Sequence, residues 1–263
     1  MSEQTLREIA GFAIVTTDLT RLARFYCEVL GFATQGGERA LQPSELALLG
    51  VLGSAQRRVL SLGRQTVWID QFEQAGRLYP TDTGAASLQF QHLALVVSDM
   101  AEVYARLRDI TPISHGGPQT LPSSTGGVQA FKFRDPDGHP LELLKFPTGK
   151  TPAAWKDRRP LDGQIGLGID HSAISVANAD KSTVFYRSLG LRTGERTLNQ
   201  GAAQELLDGL DEAQVAVIPM MPPAQTRTWN YSSTRCQEIE KARCCAETIS
   251  QRRASSGAAP RLI

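Results

Sequence analysis

The sequence predicts an α+β fold made of repeats of one unit: a strand, a helix, then about three further strands. Three observations predict it. A strand-like apolar run followed by a polar cap residue occurs three times, beginning near Ile9, Phe90 and Ile169. Apolar residues at helical spacing come next, and β-patterned segments separated by turn residues follow each helix.

In the first unit Ile9-Ala-Gly-Phe-Ala-Ile-Val-Thr16 reads as a strand and Asp18 caps the helix after it. Leu19, Leu22, Phe25, Tyr26 and Val29 recur at helical spacing, and Gly31 ends the helix. Arg58–Leu62 and Gln65–Phe72 are further strands. The second unit repeats the plan with Phe90–Val97, Asp99 and a helix through Val103, Leu107 and Ile110. Gly127–Phe133 and Leu141–Phe146 flank the turn Asp135-Pro-Asp-Gly138 and read as a hairpin. The third unit has Ile169–Val176, a helix through Val184–Leu191, and Gln214–Pro219 as its last convincing strand. Pro147–Gly168, rich in Pro, Gly, Lys and Asp, reads as a linker.

With 263 residues, 41% hydrophobic and 21% charged, the chain has the length for one large or two ordinary domains. Its 28 Lys plus Arg against 27 Asp plus Glu leave a formal charge of +1. Such a balance offers no field to gather nucleic acid or an anionic membrane, so the expected partner is a small-molecule substrate, with a homodimer as a candidate assembly. The start, Met1–Glu8, carries acids and does not read as a signal peptide, and no apolar run approaches the roughly 20 residues that span a bilayer. Cys27, Cys236, Cys244 and Cys245 fit neither a zinc knuckle nor a disulfide framework, which points to a reducing cytoplasm.

His92 and Glu142 are the most informative pair. Each is set among apolar β-formers, and together they read as two ligands of a divalent metal presented from one sheet. A hydrogen-bonded structural His and a solvent-facing Glu are the plain alternatives. His139, beside the turn, reads as a surface residue, and His115 as a loop residue.

Phe25-Tyr26…Leu30-Gly31-Phe32, Phe185-Tyr186…Leu189-Gly190-Leu191 and the Asp-Pro-Asp-Gly-x-x-x-Glu of the second unit, combined with the repeat, resemble the vicinal-oxygen-chelate superfamily over about residues 9–220. That group includes glyoxalase I, extradiol ring-cleaving dioxygenases, fosfomycin and bleomycin resistance proteins and certain epimerases. The resemblance implies βαβββ modules, two of them paired into a U-shaped mixed sheet around a metal cleft. It further implies metal ligands on the first and last strands of each paired module: His92 and Glu142 in the second, His171 in the third. Gly11 and Trp68 stand at the matching positions of the first, which therefore supplies none; Trp68 is a candidate wall for an apolar ligand.

On this reading residues 8–147 form one complete domain (modules 8–76 and 88–147), 148–167 a linker, and 168–223 a partial second domain holding His171 in a separate or partner-completed site. The implied function is a small-molecule enzyme using Zn, Ni, Mn or Fe. Phe131-Lys132 replaces the apolar-Tyr pair of the extradiol pattern, and Ser123, Ser124 and Thr125 stand where its His should be. The third module fits the glyoxalase I pattern except at Ser172, so a lyase or isomerase is slightly favoured over a ring-cleaving dioxygenase. The general base is unassigned. The alternative is a metal-free binding protein of the bleomycin-resistance type.

The tail, residues 224–263, departs from the pattern. Where a closing strand like Leu141–Leu144 is expected, the chain reads Gln225-Thr-Arg-Thr-Trp-Asn-Tyr-Ser-Ser-Thr-Arg235. Codons permitted for Thr226–Arg235, read in a shifted frame, give Ala-His-Leu-Glu-Leu-Leu-Val-Tyr-Pro, with the lost Glu straddling Trp229 and Asn230. A frameshift near Gln225 is one expectation. A C-terminal helix using Ile239, Ala242, Ala246 and Ile249 is the other. Either leaves the third module without its closing strand and with an open edge.

Overall fold

Each unit starts with a strand whose end is turned into a helix by a side-chain cap. The computed structural model describes residues 8–80, 83–89, 91–108, 110–123, 126–161 and 163–223, and the backbone of 233–240. Asp18 accepts from the Arg21 amide, so β1 (Phe12–Thr16) passes into α1 (Leu19–Arg24), which widens into a π-helical turn over Phe25–Val29. Small strands β2 (Ala33–Thr34) and β3 (Arg39–Ala40), a short helix α2 (Pro43–Leu49), and the hairpin β4 (Ala55–Leu62) and β5 (Gln65–Phe72) complete the unit.

Asp99 caps the second unit's helix in the same way, accepting from the Ala101 and Glu102 amides. Its elements are β6 (Gln91–Val97), α3 (Met100–Arg106), β7 (Thr111–Pro112), β8 (Gln119–Thr120), β9 (Gln129–Arg134) and β10 (Pro140–Lys145). In the third unit Asn178 caps α4 (Ala179–Ser188) after β11 (Gly166–Ser175). There follow β12 (Arg192–Thr193), β13 (Thr197–Gln200), α5 (Ala202–Asp208), β14 (Gln214–Met221) and β15 (Ser233–Glu240).

The strands make two mixed sheets. The first unit alone forms a five-stranded sheet ordered β1-β5-β4-β2, with β3 also on β4. The second and third share a ten-stranded sheet ordered β12-β14-β15-β11-β6-β10-β9-β7, with β13 on β14 and β8 on β9. Its seam is the antiparallel pair β6 and β11, the first strands of the two units. The expected union of modules one and two in residues 8–147 is thus corrected: module two shares its sheet with module three. Module one meets module two through side chains instead. Leu22, Tyr26, Leu60 and Val67 lie in the same buried cluster as Leu95, Phe131 and Leu141, and each such burial contributes roughly 1.5–3 kcal/mol. Polar ties reinforce it: the Tyr26 hydroxyl donates to Asp135 at 3.2 Å, while Thr16 and Arg21 both bond Asp137 in the hairpin turn.

The third module is also closed. β15 lies between β11, to which it runs parallel, and β14, to which it runs antiparallel. The expectation of a missing closing strand is overturned, and residues 234–240 are strand where the alternative has a helix begin; Ala242, Ala246 and Ile249 lie outside the described residues. The reason is that two strand edges offer rows of unpaired amides and carbonyls, and main-chain pairing there does not require the apolar alternation that the sequence lacks. The rest of the tail, with Trp229, Asn230, Cys244 and Cys245, lies outside the described residues.

Candidate metal centre

Because side chains alternate along a strand, Leu93, Leu95 and Val97 of β6 enter the core shared with module one, while His92, Ala94 and Val96 share the other face. The two neighbours of β6 bring their own residues to that face. Glu142 of β10 pairs with Ala94 on one side, and His171 of β11 pairs with Ala94 on the other. Ala94 therefore sits between two functional side chains, with His92 two residues back along its strand, and its methyl group leaves the space above it open.

In that space Nε2 of His92 lies 3.2 Å and Nε2 of His171 lies 3.6 Å from the same oxygen, Oε2 of Glu142. All three residues are buried, and one donor atom from each falls within 4.8 Å of the others. The two rings stand edge to face, 5.6 Å apart. His92, Glu142 and His171 are thus one cluster; the separate site expected for His171 does not form. Among the described residues the cluster has three members. Ala173 of β11 occupies the place of Ala94 by the internal symmetry, and the residue paired with it on β15 is Arg235, where Glu142 stands opposite Ala94.

Burial alone would raise the Glu142 pKa, but the Lys132 ammonium beside it, then His92 and His171, outweigh burial and hold the carboxyl below its usual range. Burial depresses the pKa of His92, with Glu142 opposing it. At neutral pH the folded chain thus keeps a neutral imidazole facing an ionised carboxylate. The sign of the pH dependence follows. Below the ordinary imidazole value of 6.5, the unfolded chain takes up a proton at His92 that the folded chain does not, so metal-free protein loses stability as pH falls. Glu142 acts in the same direction below its ordinary 4.5. We expect the urea midpoint to drop between about pH 7.5 and pH 5.5, and to drop less in His92→Gln.

A second layer surrounds the cluster. Nδ1 of His171 donates to Oδ2 of Asp170 at 2.8 Å, and Nε1 of Trp155 donates to the other Asp170 oxygen at 2.8 Å. Lys132, opposite Glu142 in the β9–β10 ladder, pairs at 2.5 Å with Asp208 of α5, which Gln204 also binds. Glu142 and His171 line a cavity of about 360 Å³, together with Leu121, Val128, Leu144, Lys132, Gln204 and Leu207.

Residues 8–143, just over half of the chain, match the family model described as the Glyoxalase/Bleomycin resistance protein/Dioxygenase superfamily. The chain belongs to this superfamily. Glyoxalase I from Zea mays is similar in structure, with a TM-score of 0.55 at 15% identity over 88% of this chain and 67% of that one. A single-residue variant of the same enzyme gives a TM-score of 0.56 at 14% identity, over 90% and 69%. At such identity the likeness concerns the glyoxalase fold. No curated protein matches the chain.

In the first module Gly11 and Trp68 stand at the positions that His92 and Glu142 hold in the second. Trp68 pairs with Ala13 as Glu142 pairs with Ala94, and the Arg57 guanidinium lies over its ring at 5.3 Å. A Cβ at Gly11 would come within 3.0 Å of the Trp68 ring. His115 is exposed, and His139 binds the Asp135 carboxylate at the turn. Asp170, Trp155 and Asp208 were not anticipated. The one available signal was Asp170 adjoining His171, but strand alternation places neighbours on opposite faces, and Trp155 lay in an apparent linker.

Proposed function

We propose that the chain is a divalent-metal-dependent enzyme for a small molecule bearing two adjacent oxygen atoms, lyase- or isomerase-like in preference to ring-cleaving. One observation carries it: two imidazole Nε2 atoms converge on a single carboxylate oxygen in a buried corner beside a cavity that Glu142 and His171 line. A tetrahedral ion with bonds of about 2.0–2.2 Å keeps its donors about 3.3–3.6 Å apart, close to the 3.2 and 3.6 Å found. Two imidazoles and a carboxylate suit Zn²⁺, Ni²⁺, Mn²⁺ or Fe²⁺. Charge supports the same reading. The buried carboxylates of Glu142, Asp170 and Asp208 outnumber the one buried ammonium of this cluster, Lys132.

A divalent ion held by His92, Glu142 and His171 would supply Lewis acidity toward the oxygen pair and so acidify a neighbouring C–H. The chain's own residues do the rest. Leu121, Val128, Leu144 and Leu207 take up the apolar part of the substrate and exclude water. Lys132, held by Asp208, keeps a positive charge beside Glu142 where the substrate's oxygens gather. Elemental analysis of purified protein tests the proposal. The expected result is about one divalent ion per chain, lost in the His92→Ala, Glu142→Ala double variant. Metal-free protein that still binds an apolar ligand would support a binding protein of the bleomycin-resistance type and overturn the enzyme.

A further inference from the structure

We propose that Asp170 and Trp155 are positioning residues for His171, so that the segment joining the second and third modules fixes the tautomer and aim of this imidazole. The inference rests on the metal-dependent reading above for its consequence, though not for its geometry.

The geometry begins with an irregular ladder. β11 pairs with β6 through Ile169 opposite Leu95 and His171 opposite Ala94, and the register shifts between these two pairs. Asp170 is the extra residue of a β-bulge. In a regular strand its side chain would point away from that of His171; a bulge re-aims it. The carboxylate instead lies buried beside the ring, with Oδ2 at 2.8 Å from Nδ1.

A carboxylate only accepts, so Nδ1 of His171 carries the proton; in the neutral ring Nε2 then has the lone pair, which faces Glu142. This is the tautomer a ligand needs at Nε2. The other Asp170 oxygen accepts from the indole N–H of Trp155, a donor that cannot reverse its role. Trp155 is itself held firmly. It is fully buried, Arg158 lies 4.5 Å over its ring, and Gly168 packs so closely that a Cβ there would fall 3.1 Å from the indole. Gly168 also has φ +147, a conformation that disfavours a side chain. Trp155 holds Asp170, and Asp170 holds His171.

The experiment reads the His171 tautomer directly, by long-range ¹H–¹⁵N correlation in full-length metal-free protein, and in parallel the Zn²⁺ dissociation constant. Wild type is expected to show the Nδ1–H form. Asp170→Asn, whose amide can donate to Nδ1, should shift the ring toward the Nε2–H form and weaken Zn²⁺ binding by about 10- to 100-fold. Trp155→Phe, which removes only the second hydrogen bond, should produce a partial tautomer shift and a smaller loss, about threefold to tenfold. If Asp170→Asn does not fold, Trp155→Phe decides alone. An Nε2–H ring in wild type, or unchanged tautomer and affinity in the folded variants, overturns the proposal. Wild-type protein that binds no Zn²⁺ but has the Nδ1–H ring, shifted in the variants, overturns the metal reading and leaves the positioning role standing.

Discussion

Glu142→Ala is expected to raise the dissociation constant for Zn²⁺ by about a hundred- to a thousandfold. A four-donor structural zinc site gathers roughly 10–16 kcal/mol, or about 3–4 kcal/mol per donor, which is two to three powers of ten. The informative comparison is with the two histidines. His92 and His171 come from different modules but face one oxygen at 3.2 and 3.6 Å. His92→Ala and His171→Ala should therefore lose affinity in the same range as Glu142→Ala and as each other. Competition titration against a chelating dye measures all three. Full retention of affinity in His171→Ala would mean that the centre belongs to the second module alone.

The second large effect is on folding. Lys132→Met leaves Asp208 buried without its ammonium partner and removes a positive charge that acts on Glu142. Truncating one member of such a buried pair costs about 3–5 kcal/mol. Urea denaturation of metal-free protein should show that loss, and replacing Asp208 by Leu in the same chain should recover much of it, because an isolated buried charge is the source of the penalty. Added Zn²⁺ should also recover part of the loss, since an ion in the His–Glu–His corner restores positive charge next to Glu142. A Lys132→Met protein as stable as wild type would remove Lys132 from the electrostatics of the site.

The architecture was legible because its signals are local. Asp18 and Asp99 cap helices where the polar residue after each strand implied, and the Asp135–Gly138 turn closes the hairpin that presents Glu142. What did not follow was which modules join. Sequence order favoured one with two, yet the residues themselves pointed elsewhere: His stands at the matching position of modules two and three, while module one has Gly11 and Trp68. Strand pairing is a long-range choice between similar edges, and ligand identity was a better guide to it than adjacency. The closing strand was illegible for another reason. β15 pairs by its backbone on both sides, and backbone pairing leaves little trace in composition. The bulge at Asp170 escaped because a single inserted residue looks like any other in a strand.

Two of the three clustered side chains precede the 147–165 connection and the third follows it. The polypeptide there is no loose tether: it buries Trp155 and leads into β11, whose pairing with β6 sets His171 beside the other two side chains. The meeting of three side chains at this corner consequently depends on how the two modules are joined as well as on which residues they carry. On the metal reading proposed above, cutting that stretch is expected to weaken ion binding without altering any donor atom.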